Sequence, residues 1–256
     1  MGKARRPLVA GNWKMHKTTA EATDLSQRVS YEYSQDYDGV DVVLCPPFTD
    51  LRSVRVVLGF DRSDIQLGAQ DVYWEDAGAF TGAISPVMLK ELGCAYCIVG
   101  HSERRERFGE TDATVNAKVR ALIAHRITPI VCCGESLAVR EEGRALEFAT
   151  AQVRAALDGT PADASVVVAY EPIWSIGTGH TPTPEQADEV CAAIRAAVAQ
   201  LHGHDAAEKT RVLYGGSMKP ANVAQFAPMP HIDGGLIGAA ALDAFDFIHI
   251  VKAFAC

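Results

Sequence analysis

Eight short runs of β-branched and apolar residues recur along the chain, each followed by a longer stretch of helical character. They are Leu8–Asn12, Val40–Cys45, Ile65–Ala69, Ala95–Val99, Thr128–Cys133, Ser165–Tyr170, Val212–Tyr214 and Gly234–Ile237. Most are too continuously hydrophobic to alternate, as expected of parallel strands covered by helices. Helix signals lie between them. Thr111 or Asp112 caps a helix over Ala113–His125, and Ser136 opens a stretch reaching Leu157. Thr183-Pro184-Glu185 starts a helix running to Leu201, with Gly203 past its end, and Asp243 caps one reaching Phe254.

Eight strand-plus-helix units in 256 residues predict an α/β fold, a closed (β/α)8 barrel forming a single domain over residues 1–256. No linker, low-complexity tract or long charge run interrupts the alternation, and 48% hydrophobic residues supply one sizeable core. An open doubly wound sheet is the alternative. Against it, no Gly-x-Gly-x-x-Gly follows the first run.

The net charge of −8 argues against nucleic acid or an anionic membrane as partner. It also means that any anionic ligand must be held locally, by backbone N–H groups and a placed cation. No run approaches the length of a membrane span, and the basic start Met1–Pro7 leads straight into a strand, unlike a signal peptide. The expected location is the cytoplasm. Seven cysteines, an odd number, point to free thiols in a reducing compartment. Cys94 and Cys97, placed within one strand, are expected to face opposite sides and so to serve as core residues, not a redox or metal pair; adjacent Cys132 and Cys133 diverge likewise.

In a barrel, chemistry gathers on the loops after the strands' C-terminal ends. The first run ends Asn12-Trp13-Lys14-Met15, where Lys14 is poised to bind an anion, to form a Schiff base, or to be an ordinary surface lysine. The fourth ends Gly100-His101-Ser102-Glu103-Arg104-Arg105. A lone His is commonly structural, but this address favours reactivity, and a helix N-terminus beside it would hold the ring neutral. The sixth ends Tyr170-Glu171-Pro172-Ile173-Trp174-Ser175-Ile176-Gly177-Thr178-Gly179. Burial would raise the Glu171 pKa toward work as a general base. The stiff apolar segment after it, ending in glycines and Pro182, reads as a lid moving as a body, or as a packed surface loop. The seventh and eighth ends, Tyr214-Gly215-Gly216-Ser217 and Gly234-Gly235-Leu236-Ile237-Gly238-Ala239, carry small residues where barrels commonly bind phosphate.

Together these four motifs, Asn-Trp-Lys-Met, Gly-His-Ser-Glu-Arg-Arg, Tyr-Glu-Pro-Ile-Trp-Ser-Ile-Gly-Thr-Gly and Tyr-Gly-Gly-Ser, in order and spacing over nearly the whole chain, resemble the triosephosphate isomerase family. The resemblance implies interconversion of dihydroxyacetone phosphate and D-glyceraldehyde 3-phosphate without metal or cofactor. The family's known pairing of a Glu base with a neutral His electrophile would fall on Glu171 and His101. Lys14 and Asn12 would stabilise developing negative charge, and Glu103 would position Lys14. Backbone N–H groups of Gly177, Ser217, Gly238 and Ala239 would hold the phosphate, and the lid Pro172–Thr178 would exclude water. The resemblance also implies a homodimer in which the loop Gly78–Ala83 brings Thr81 to the other copy's Asn12 and Lys14.

Four positions depart from the family's pattern. Ala83 stands where a Glu often pairs with the other copy's counterpart of Arg104, which bears on dimer strength. Ala239 replaces a Gly of the phosphate pair and fits only if its φ is negative. His180 replaces a common Lys at the far end of the lid, and Ser175 replaces an Ala at its tip. Three rival readings remain at the level of sequence: a paralogue acting on a tetrulose phosphate, a catalytically dead barrel serving as a scaffold, and a Schiff-base aldolase using Lys14.

Overall fold

The computed structural model describes residues 5–33, 37, 39–176 and 181–255. Eight parallel strands close into a barrel in sequence order: β1 (Leu8–Asn12), β2 (Asp41–Cys45), β3 (Gln66–Ala69), β4 (Tyr96–Val99), β5 (Thr128–Cys133), β6 (Val167–Tyr170), β7 (Arg211–Tyr214) and β8 (Gly234–Ile237). The barrel expected from the alternation is the one formed, and β8 closes it by pairing Leu8 with Gly234 and Gly11 with Ile237. Strand starts move by a residue or two. The largest shift is in β6, where Ser165 and Val166 precede the strand.

The two faces of each strand feed two cores. Leu8, Ala10, Val43, Ile98, Val167 and Ala169 are among the residues filling the barrel interior. Val9, Val42, Val99, Val131 and Val168 pack outward beneath the helices. The alternation has a direct consequence for the mouth. Asn12 continues the inward series of Leu8 and Ala10, and Glu171 continues that of Val167 and Ala169. Gly68 of β3 faces the same interior; a Cβ there would meet Cys45 Sγ at 2.6 Å and Val43 Cγ1 at 2.9 Å.

The helix signals hold with one change. Thr111, Thr183 and Asp243 each accept a backbone N–H three residues on, from Thr114, Gln186 and Asp246. The helix Pro184–His202 stops at Gly203. The stretch from Ser136 to Leu157 is two helices, Leu137–Glu141 and Ala145–Leu157, because Gly143 adopts a left-handed φ of 72° between them. A short helix, His204–Lys209, was not legible in the sequence.

Cys45, Cys94, Cys97, Cys132, Cys133 and Cys191 are all buried free thiols. Cys132 faces the barrel interior and Cys133 the outer core, as alternation requires. Cys94 and Cys97 do not diverge as expected. Cys94 precedes β4, so strand alternation does not govern it, and both side chains lie in the outer core. Among the described residues, no helix is long and apolar enough to cross a membrane.

Candidate active site

The mouth of the barrel holds a cavity of about 320 Å³ lined by Asn12, Lys14 and His101 on one side and by Ile176, Gly215–Lys219, Leu236 and Gly238–Ala240 on the other. A larger groove of about 840 Å³ lies on the flank, among Asp24, Arg28, Tyr31, Asp61 and Phe245. It lacks the imidazole and ammonium that meet at the mouth. Among the described residues, no group of three or more His, Cys, Asp or Glu is placed to hold a metal ion.

Lys14 reaches the cavity through an unusual backbone. Its φ is 54°, the left-handed region that a non-glycine residue adopts only at a cost. Neighbours hold it there. The Lys14 N–H donates to Asn12 Oδ1 at 3.1 Å, and Gln70 Nε2 donates to the carbonyls of Lys14 and Cys45, both at 2.9 Å. The Lys14 ammonium donates to Glu103 Oε1 at 2.8 Å. A Cβ added to Gly238 would lie 3.5 Å from Lys14 Cε, so the end of β8 lies against the lysine.

His101 is turned into the barrel mouth by Gly100, whose φ is 71°. The turn is clamped on both sides: Gly100 N–H donates to Glu110 Oε1 at 3.3 Å, and Arg105 Nε donates to Gly100 O at 2.8 Å. Any side chain at 100 would strain this φ and press on Val115 and Cys132 O. His101 caps the helix Ser102–Phe108, its Nδ1 accepting the Glu103 N–H at 3.3 Å. Nδ1 therefore acts as acceptor, which leaves Nε2 as the N–H of a neutral ring.

Glu171 is buried to 1% exposure. Its Oε1 lies 3.0 Å from His101 Nε2 and 3.2 Å from Ser102 Oγ, and its Oε2 accepts the Ser102 N–H at 2.9 Å. These contacts correct two expectations. Burial does push the carboxyl pKa up, but His101 and the two Ser102 bonds outweigh it, and the net shift is downward. For His101, burial pulls the pKa down and is outweighed by the Glu171 carboxylate, so the net shift is upward, not toward the neutral ring expected. The two shifts are one interaction seen from its two ends.

The segment after Glu171 begins with the 3-10 turn Ile173–Ser175. Its anchor is Glu135, a fully buried carboxylate at the end of β5 that the sequence reading passed over. Glu135 Oε1 accepts Tyr170 Oη–H and Trp174 Nε1–H, each at 2.9 Å, and Glu135 O accepts the Ile173 N–H at 3.1 Å. Its signal was its address, a Glu just after a barrel strand, the same signal that marked Glu171. Ser102, inside a recognised motif, was likewise not singled out.

Ser217, Gly238 and Ala239 line the cavity together. Gly177 and His180 lie outside the described residues. Ala239 begins the 3-10 turn Ala239–Leu242, and its φ is not positive, so its methyl is accommodated. Thr81 is exposed on the loop 78–83, outside the cavity lining, next to Phe80, whose ring is tilted against a Tyr73 that stacks on Trp74. Arg104, whose family counterpart was expected to pair with the residue at 83 of the other copy, is paired within the chain to Asp71 at 2.8 Å and Glu110 at 3.1 Å.

Residues 7–254 match the family model described as triosephosphate isomerase. Similar proteins named triosephosphate isomerase include one from Cutibacterium acnes, 49% identical over 97% of this chain and 98% of its own length. One from Caldanaerobacter subterraneus subsp. tengcongensis is 50% identical over 97% and 99%. One from a Roseiflexus species is 51% identical over 96% and 97%. With a barrel of the expected topology and that match over nearly its whole length, the chain belongs to the triosephosphate isomerase family.

Proposed function

We propose that Glu171, His101, Lys14 and Asn12 carry out the reaction of this chain, the interconversion of dihydroxyacetone phosphate and D-glyceraldehyde 3-phosphate by proton transfer through an enediolate. Glu171 takes the proton from the carbon next to the carbonyl and returns it to the neighbouring carbon. His101 donates its Nε2–H to the carbonyl oxygen and shuttles protons between the two oxygens. Lys14 and Asn12 stabilise the negative charge as it develops. Glu103 positions Lys14. The N–H groups of Ser217, Gly238 and Ala239, and of Gly177 outside the described residues, hold the phosphate.

The observation that carries this reading is one imidazole and one ammonium lining a single small cavity at the barrel mouth, with a buried carboxylate 3.0 Å behind the imidazole. Ser102 bonds both Glu171 oxygens, so the base must leave Ser102 to reach a substrate carbon. That movement also changes the electrostatic balance at His101. With the carboxylate gone from Nε2, burial and the Lys14 charge oppose a second proton, and only Glu103, itself paired with Lys14, favours it. Loss of the Glu171 contact thus shifts the ring toward the neutral form in which it can donate Nε2–H.

The rival readings fare less well. A scaffold has no need of four convergent reactive groups. A Schiff base needs a free amine, whereas Lys14 forms an ion pair suited to anion stabilisation. The similar proteins, named for the triose substrate, give the tetrulose phosphate alternative no support.

We further propose one domain across the chain, a cytoplasmic location, and a homodimer formed through the loop 78–83. The exposed Phe80 and the aromatic stack behind it support that contact. An assay of the purified protein on glyceraldehyde 3-phosphate, coupled to reduction of dihydroxyacetone phosphate, tests the activity. Turnover at enzymatic rates is expected; none above background would overturn it.

A further inference from the structure

We propose that the Ser175 hydroxyl occupies the Ser217 backbone N–H, so that an incoming phosphate must displace it and thereby releases the Ile173–Ser175 turn from its hold on the phosphate loop. The inference rests on the reading of Ser217 N–H as a phosphate donor.

Ser175 is fully buried, and its Oγ accepts the Ser217 N–H at 3.4 Å, a long bond that an anion can outbid. One N–H directs one hydrogen, so hydroxyl and phosphate compete for it. The phosphate loop is braced independently of this contact. Asn222 Nδ2 donates to Ser217 O at 3.0 Å, while Asn222 Oδ1 accepts the Lys219 N–H at 2.7 Å. Losing Ser175 therefore leaves the Ser217 N–H presented to the cavity.

The displaced hydroxyl has somewhere to go. The buried Tyr214 phenol lies beside Ser175 and already interacts with its hydroxyl, though not in the geometry of a full hydrogen bond. Burial, partly offset by Ser175, pushes this phenol up to about 12, so it remains a donor. Exchange trades a Ser217–Ser175 bond for a Ser217–phosphate bond and lets the loose Tyr214–Ser175 contact tighten, with no buried polar group newly stranded. Ser175 is thus a positioning residue that links phosphate occupancy to the turn directly after the base.

The test compares the wild type with Ser175→Ala and Ser175→Cys, using inorganic phosphate as probe. Its affinity is read by competition with turnover, and its contact by the Ser217 amide resonance. Both variants remove a good acceptor, and Cys leaves no cavity. Each is expected to bind phosphate about threefold more tightly, the scale of one modest hydrogen bond. Unchanged phosphate affinity in both variants, with the Ser217 amide still responding to phosphate, would overturn the inference and leave the phosphate site intact. A change in Ser175→Ala alone would also overturn it, by assigning the effect to packing. A Ser217 amide indifferent to phosphate in the wild type would remove the underlying reading and the inference with it.

Discussion

His101 Nε2 lies 3.0 Å from Glu171 Oε1, with both side chains buried and Ser102 bonding the carboxylate from its other side. The proposed base and the proposed electrophile are thus partnered with each other, and each shifts the other's proton affinity.

That coupling predicts the behaviour of His101 when the carboxylate charge is removed. In Glu171→Gln, burial and Lys14 remain to pull the ring's pKa down, without Glu171 to hold it up. The His101 ring, followed by NMR titration, is expected to titrate below its wild-type value. The stability consequence has two edges. The Glu171 contribution is lost as pH falls through its lowered pKa, and the His101 contribution is lost as pH rises through its raised one. The stability gap between wild type and Glu171→Gln should therefore be widest between those two limits. An unchanged His101 titration would contradict the coupling.

Lys14 supplies the mouth's ammonium, and its backbone is held in a left-handed conformation to do so. Lys14→Met is expected to weaken binding of a phosphorylated enediolate analogue at least about tenfold, the lower range for a hydrogen bond to a charged group. Glu103, which loses its partner, is partly exposed and can be hydrated. Equal affinity in a calorimetric titration would remove Lys14 from charge stabilisation.

The fold and most of the site were legible because both follow from periodicity. Strand runs placed eight barrel staves, and the residues just past them were the candidates. What escaped depends on contacts between distant segments. Glu135 matters through Tyr170 and Trp174, more than 30 positions away, and Ser102 through Glu171. The direction of the Glu171 shift was misread for the same reason: burial is visible in an apolar strand, whereas three nearby donors from another loop are not. Gly143 lay in plain view, but the helical pattern on both sides masked its break.

Ala239 opens a 3-10 turn and carries no positive φ, so its methyl imposes no backbone strain. Ala239→Gly is expected to leave kcat/KM within about threefold and to lower stability by up to about 1 kcal/mol, the entropic cost of glycine in a helical turn. A gain in kcat/KM of ten times or more would show that the methyl obstructs the anion.

Arg104 is satisfied inside its own chain by Asp71 and Glu110, so Ala83 leaves no stranded charge at the proposed interface. Sedimentation is expected to give twice the mass of one chain. Thr81→Arg, which sets a cation toward the other copy's Lys14, is expected to shift the protein to monomer and to lower kcat. A monomeric wild type at full activity would contradict the proposed role of the 78–83 loop.

The most direct test is turnover of glyceraldehyde 3-phosphate by Glu171→Gln, a change that keeps the side chain's shape and removes its basicity. A fall in kcat of more than about 100-fold, measured on folded protein outside the pH window of the stability gap and with inhibitor binding largely retained, is the expected result. Turnover close to wild type would show that some other group takes the proton.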